Sequence, residues 1–266
     1  MKIQTIILNA LVISQPTPYP EVNAVLLRLL TEAQAVLGDA FIGLYLYGSL
    51  ASGDFDPHRS DIDFVFVTKD VLPAETIQQL ATLHERLAAS GLKWAAKLEG
   101  TYITQAALRR YNAADGPFPG INEGRFYIAH HQSDWIIQRH ILREYGTALA
   151  GPPPYTLIDP VQPDDIRQAV RGILREWWQP MLNEPSQFRS PEYQAYAVLT
   201  MCRALHALDS GTIVSKPVAA RWAQATLDER WHTLIDFAVR WQPNDEVDHF
   251  EDMVDFIRYT LSSATV

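Results

Sequence analysis

Two aspartates separated by one residue, Asp61 and Asp63, stand in the stretch Arg59-Ser60-Asp61-Ile62-Asp63-Phe64, one polar loop after Tyr47-Gly48-Ser49-Leu50. The apolar run Phe41 to Tyr47 predicts a buried strand, and Ile62 to Val67 predicts the next one. Residues two apart on a strand face the same way, so Asp61 and Asp63 present two carboxylates on one side, while Ile62, Phe64 and Phe66 face the other. Hard oxygen donors at this spacing suit Mg²⁺, which is usually held by one or two carboxylates together with substrate phosphates. Gly48 lets backbone approach a phosphate closely, and Ser49 adds a hydroxyl donor beside exposed backbone N–H groups. Metal-assisted chemistry on a phosphate is the implied work. Taken singly, a Gly-Ser pair is commonplace and an Asp-x-Asp pair can cap a turn. The ordered conjunction of strand, Gly-Ser, loop and acidic strand carries the inference.

The flanking elements must position these groups. Val22, Val25, Leu26, Leu29, Leu30, Ala33 and Leu37 recur at helical spacing and end at Gly38. A second helix is predicted from Pro73 to Ala89, with Gly91 beyond its end. Lys93 to Thr104 predicts a third strand carrying Glu99. A lone Glu in a strand is ordinarily a solvated outward side chain. Sequential strands are often neighbours, however, and Glu99 would then stand beside Asp61 and Asp63 as a metal ligand or a general base. Asn112 to Glu123 is rich in Gly, Pro and Asn and predicts no regular structure. Phe126 to His130 predicts a short extended segment. Ser133 or Asp134 caps a predicted helix to about Leu149, and His130-His131 predicts a surface pair rather than metal ligands.

Gly151-Pro152-Pro153-Pro154 is the clearest boundary, because such proline density suits neither helix nor sheet interior. It divides the chain into an α/β domain over 1–155 and a helical domain over 156–266. Helices are predicted from Asp164 to Trp178, Pro191 to Ser210, Ser215 to Ala225, Asp228 to Trp241 and Glu246 to Ser263. Ala197, Met201, Ala204, Leu205 and Leu208 mark a core face, and Trp222, Trp231 and Trp241 read as core residues.

The 266 residues carry a net charge of −9, and 47% of them are hydrophobic. No Lys/Arg run is present, which argues against long nucleic acid as a partner. The single cysteine, Cys202, lies in an apolar helical pattern and predicts a buried structural thiol. No segment approaches the ~18 consecutive apolar residues of a membrane helix. The start, Met1 to Ile13, is mildly like a signal peptide but is interrupted by Gln4 and Asn9, so it is read as part of the fold. A cytoplasmic protein, monomeric or weakly self-associating, is expected.

The order of motifs resembles the nucleotidyltransferase superfamily to which DNA polymerase beta belongs. Beyond the proline boundary, Ala197-Val198-Leu199-Thr200-Met201-Cys202-Arg203, then Gly211-Thr212-Ile213-Val214-Ser215-Lys216, then Ala219-Ala220-Arg221-Trp222-Ala223 resembles the helical domain of streptomycin/spectinomycin adenylyltransferases. That resemblance implies an α/β (α+β) nucleotidyltransferase domain with a mixed sheet, followed by an all-α bundle, with ATP and drug bound in the cleft between them. It implies Gly48, Ser49 and Ser60 at the nucleotide phosphates, Mg²⁺ on Asp61 and Asp63, and Glu99 as catalytic base. Arg203 and Lys216 match the basic pair that reaches the triphosphate, and Asp134 matches an acidic position near the site. The implied activity is transfer of AMP from ATP to a hydroxyl of a small, cationic aminoglycoside or aminocyclitol.

Departures fall where the family holds its drug. The loop Ile121-Asn122-Glu123-Gly124-Arg125 lacks the family's tryptophan, and Glu192-Tyr193-Gln194-Ala195-Tyr196 places tyrosines where acidic or histidine residues are expected. Trp177-Trp178 offers an aromatic surface for a sugar or cyclitol ring, with Trp178 the candidate contact. A different small-molecule or protein acceptor, or a ligand-binding module without chemistry, are the rival expectations. The full set Asp61, Asp63 and Glu99 argues against the module.

Overall fold

The protein, seen in a computed structural model, is described over residues 15–57, 60–243, 245 and 247–264. The signal-like start, together with His58 and Arg59 in the loop before Asp61, lies outside the described residues. Contacts divide the chain into two units. One runs up to His131 and resumes over Gln138–Pro160; the other takes Gln132–Ile137 and the chain from Val161 onward.

In the first unit, α1 (Pro20–Leu37) begins on a proline, whose fixed φ suits a first helical turn, and buries the predicted stripe Val22, Val25, Leu26, Leu29, Leu30 and Ala33. It is followed by β1 (Phe41–Leu46), the short α2 (Gly48–Ser52), β2 (Ile62–Thr68), α3 (Ala74–Ala88), β3 (Leu98–Thr104) and α4 (Gln105–Arg109). Then come β4 (Phe118–Asn122), β5 (Arg125–Ala129), α5 (Asp134–Tyr145), whose residues up to Ile137 belong to the second unit, and β6 (Thr147–Ala150). The strands form one mixed sheet in the order β5-β4-β3-β2-β1-β6, with β2 and β3 parallel and the other pairs antiparallel. Leu44, Leu46, Ile62, Phe64, Phe66, Leu98 and Tyr102 join the stripes of α1 and α3 in one apolar cluster. The other face of β2 and β3 carries Asp63 and Glu99 at its start, followed by buried Val65, Val67, Thr101 and Ile103.

Two expectations are corrected here. Residues 112–123 do contain regular structure, because Phe118–Asn122 forms β4. Its glycine reads as a breaker, yet close packing needs it: Gly120 pairs with Thr101, and Gly100 pairs with Ile121. A Cβ on Gly100 would meet the Phe64 carbonyl and lie 2.7 Å from that ring's carbons. The predicted helix to Leu149 ends at Tyr145, and Thr147–Ala150 forms β6 on the edge of β1. Ala and Leu favour helix, but β1 offered an unpaired edge, and pairing overrode propensity.

The histidine pair also divides. His130 is exposed, whereas His131 packs on Phe118 with ring centroids 4.4 Å apart, and its Nε2 lies 3.2 Å from Thr101 Oγ1. Burial pushes the His131 imidazole down to about 3. Arg139 is 2% exposed and donates to the carbonyls of Ala107 and Leu108, capping the end of α4.

The second unit is helical: α6 (Pro163–Ile173), a π-helical turn over Leu174–Trp178, α7 (Gln179–Met181), α8 (Pro191–Ser210), α9 (Lys216–Thr226), α10 (His232–Arg240) and α11 (Phe250–Ser263). Helix α8 is its hub and packs against α6, α9, α10 and α11. Ala197, Val198, Met201, Cys202 and Ala207 are fully buried on it, with Cys202 as the expected inert thiol, its pKa pushed up to about 12 by burial. Buried Gln194 donates to the Asp248 carboxylate at 2.8 Å and accepts from His249 N–H at 2.8 Å. That bond pair ties α8 to the start of α11. Trp231 and Trp241 are buried, as expected.

In the first unit's core, His84 Nε2 lies 2.9 Å from the Tyr102 hydroxyl, and burial lowers the imidazole pKa from 6.5 to about 4. The unfolded chain therefore takes up a proton that the folded chain refuses, so stability is full above pH 6.5 and falls as pH drops toward 4. The loss from this group is about 3 kcal/mol once both limits are passed. Melting temperatures followed from pH 7 to pH 4 should decline in the wild type and decline less in His84→Gln. Equal declines would remove His84 as a source.

Candidate active site

Asp63 is the second residue of β2, and Glu99 is the second residue of β3. The parallel register pairs Asp63 with Glu99, as it pairs Ile62 with Leu98 and Phe64 with Gly100. Neighbouring strands run ~4.8 Å apart, so the two carboxylates rise side by side on the face opposite the Phe64–Phe66 core. Asp61 lies one residue ahead of β2, where the same alternation brings it to that face. Ile62 and Leu98, buried at 0% and 1%, anchor the ends of both strands in the apolar cluster. The acids are thereby held by core packing beneath them.

Gly48 closes the site from β1. The Tyr47 N–H donates to the Asp63 carbonyl at 3.2 Å, which fixes the β1–α2 turn against the start of β2. Gly48 follows with φ +62, and a Cβ there would fall on the Asp63 carboxylate, with its Cγ only 2.7 Å away. Both the left-handed backbone and the lack of a side chain are needed at this residue. Ser49 sits in the first turn of α2, and its carbonyl accepts the Asp54 N–H. Ser60 exchanges two bonds with Asp56: its N–H donates to the Asp56 carbonyl at 2.9 Å, and its Oγ accepts the Asp56 N–H at 3.0 Å. The loop is thus tied off immediately before Asp61.

One cation of this site was missed at the sequence level. Lys97, which ends a 3-10 turn ahead of β3, places its Nζ 3.1 Å from Asp61 Oδ1. Its position is legible in retrospect, because Lys97 precedes Glu99 by two residues as Asp61 precedes Asp63. Among the described residues no group of three or more His, Cys, Asp or Glu side chains is arranged to enclose a metal by itself. Two aspartates of hard oxygen character still fit Mg²⁺, which retains several waters and takes substrate phosphates as further ligands.

The second unit holds the remaining candidates. Lys216, the first residue of α9, places its Nζ 4.7 Å from the centroid of Tyr196. Arg203 lies seven residues beyond Tyr196 on α8, two turns along the same face. Asp134 opens α5, where a carboxylate is favoured by the helix dipole, and neighbouring Ser133 donates to Glu176 at 3.2 Å. The expectation for Trp178 is corrected: it is 2% exposed, stacks on Phe188 and Tyr196, and offers no ring face to a ligand. Trp177 is the exposed member, at 54%.

Gly48→Ala should displace the Asp63 carboxylate and strain the turn, costing about 1–3 kcal/mol. Thermal unfolding of the variant measures that cost. An unchanged melting temperature would show that the turn relaxes freely.

Known proteins can be set beside this geometry. Residues 34–110 match the family described as Nucleotidyltransferase domain, and residues 156–263 match that described as Aminoglycoside adenylyltransferase, C-terminal domain. An aminoglycoside (3'') (9) adenylyltransferase of Escherichia coli is 27% identical, over 91% of this chain and 97% of that protein. A spectinomycin 9-adenylyltransferase of Staphylococcus aureus is 24% identical, over 76% of this chain and 78% of that protein. Among solved structures, a spectinomycin adenyltransferase from Enterococcus faecialis, crystallised with ATP and spectinomycin, superposes with a TM-score of 0.69 at 19% identity, over 91% of this chain and 99% of that one. That likeness speaks for the fold. With both domain families matched in order on a mixed-sheet unit and a helical unit, the chain is a nucleotidyltransferase and belongs to the aminoglycoside (streptomycin/spectinomycin) adenylyltransferase family.

Proposed function

We propose that this enzyme transfers AMP from ATP to a hydroxyl of an aminoglycoside or aminocyclitol antibiotic, releasing pyrophosphate. The observation that carries this is the parallel register that sets Asp63 beside Glu99, with Gly48 closed against the Asp63 carboxylate. The names of the E. coli and S. aureus relatives support the acceptor class.

Asp61 and Asp63 would hold Mg²⁺, which when bound supplies positive charge to the phosphate oxygens. Gly48 leaves room for a phosphate beside the backbone, and Ser49 and Ser60 offer hydroxyls to it. Glu99 takes the proton of the acceptor hydroxyl as that oxygen forms its bond to the α-phosphorus and the bond to pyrophosphate breaks. A positioned base of this kind contributes ~10²–10⁴-fold to rate. Arg203 and Lys216 supply the fixed cations that a triphosphate needs on a chain of net charge −9. Asp134 is proposed to attract a cationic acceptor. The stacking role proposed from sequence for Trp178 passes to exposed Trp177.

Glu99→Gln should lower kcat by about 10²–10⁴-fold while the Kd for Mg-ATP stays within a few-fold of wild type. Full turnover by the variant would take Glu99 out of the base role. The acceptor is tested by pyrophosphate release over a panel of aminoglycosides and aminocyclitols, with mass spectrometry of the product for one added AMP. Binding of Mg-ATP without release on any acceptor would refute the assignment.

A further inference from the structure

We propose that Lys97 gates the metal site: its ammonium neutralises Asp61 in the resting enzyme, and a divalent cation must displace it to bind. The proposal rests on the reading of Asp61 and Asp63 as the metal-holding pair. It starts from a contact, Lys97 Nζ to Asp61 Oδ1 at 3.1 Å, and from the strand register that produces it. The parallel ladder opens with the pair Ile62–Leu98; Asp61 immediately precedes one strand, and Lys97 ends the 3-10 turn that immediately precedes the other. The ladder's first pair thus brings Lys97 onto Asp61, the aspartate that opens the acidic pair.

The bland alternative is a surface ion pair. Both side chains are about half exposed, at 52% and 41%, and such pairs contribute little to stability. Weakness is what a gate requires. Asp61 and Asp63 stand two residues apart, so a cation on Asp61 is favourable before any metal arrives. A doubly charged ion between Asp61 and Asp63 gains more than one ammonium gains on a solvated carboxylate, and it takes over the Asp61 oxygen. The lysine stem is flexible and its head stays in water, so the exchange costs little reorganisation.

Competition has a signature that a merely structural pair lacks, because removing the competitor strengthens metal binding. Mn²⁺ serves as the probe, with free ion measured by its paramagnetic resonance signal on the full chain without nucleotide. Lys97→Met should bind Mn²⁺ about twofold to fivefold more tightly than wild type, and Lys97→Arg should remain near wild type. Lys93 is a matched control, since it lies four residues away and pairs with Glu21 at 3.0 Å. Lys93→Met removes the same charge from the same segment and should leave Mn²⁺ affinity unchanged. Asp61→Asn should lose the site.

Unchanged or weaker Mn²⁺ binding by Lys97→Met, with Asp61→Asn still losing it, overturns the gate and leaves the metal site standing. Equal tightening by Lys93→Met and Lys97→Met would reduce the effect to net charge and also overturns the gate. Asp61→Asn binding like wild type would remove the metal site and the gate together.

Discussion

Parallel pairing of β2 with β3 is the constraint on which the rest of the first unit depends. A parallel pair has one even register, and here it sets Asp63 opposite Glu99. Sliding β3 by one residue would turn Glu99 toward the core and bring Leu98 to the surface. The core forbids this, because Ile62, Phe64, Phe66, Leu98 and Tyr102 fill one continuous cluster with α1 and α3. Stacking of Phe66 on Tyr102, with centroids 4.9 Å apart, fixes the same register from beneath. The cost of holding like charges together is therefore met by apolar burial on the opposite face of the same strands.

The backbone around the acids follows from this. Gly48 cannot carry a side chain because the Asp63 carboxylate lies where its Cβ would be. Gly100 cannot carry one because it sits over Phe64, directly beside Glu99 in sequence. Both glycines belong to the positioning of the acids, one above the carboxylate and one below the strand that bears Glu99. A glycine chosen for clearance leaves no latitude for alanine.

Much of this was legible in the sequence because alternation is a strong signal. Two aspartates two apart in an apolar run leave little choice of face, and Glu99 followed once the third strand was taken as the next neighbour. Lys97 obeys the same alternation but precedes the strand, where a lysine reads as a solvated end. Strands β4 and β6 were hidden because their residues carry the opposite local preference, Gly-Pro in one and Ala-Leu in the other, and only a waiting strand edge makes them extended. Trp178 was misjudged for a geometric reason. Adjacent helical residues diverge by ~100°, and the π-helical turn over Leu174–Trp178 shifts the phase of the helix at that point. Trp178 turned inward onto Phe188, and Trp177 was left outside.

The basic residues rest in two kinds of place. Lys97 rests on a carboxylate, whereas Lys216 rests over the ring of Tyr196. An ammonium on an exposed aromatic face is held by only ~0.5–1 kcal/mol. On a chain of net charge −9, the kind of partner that orders a lysine matters as well as the number of lysines.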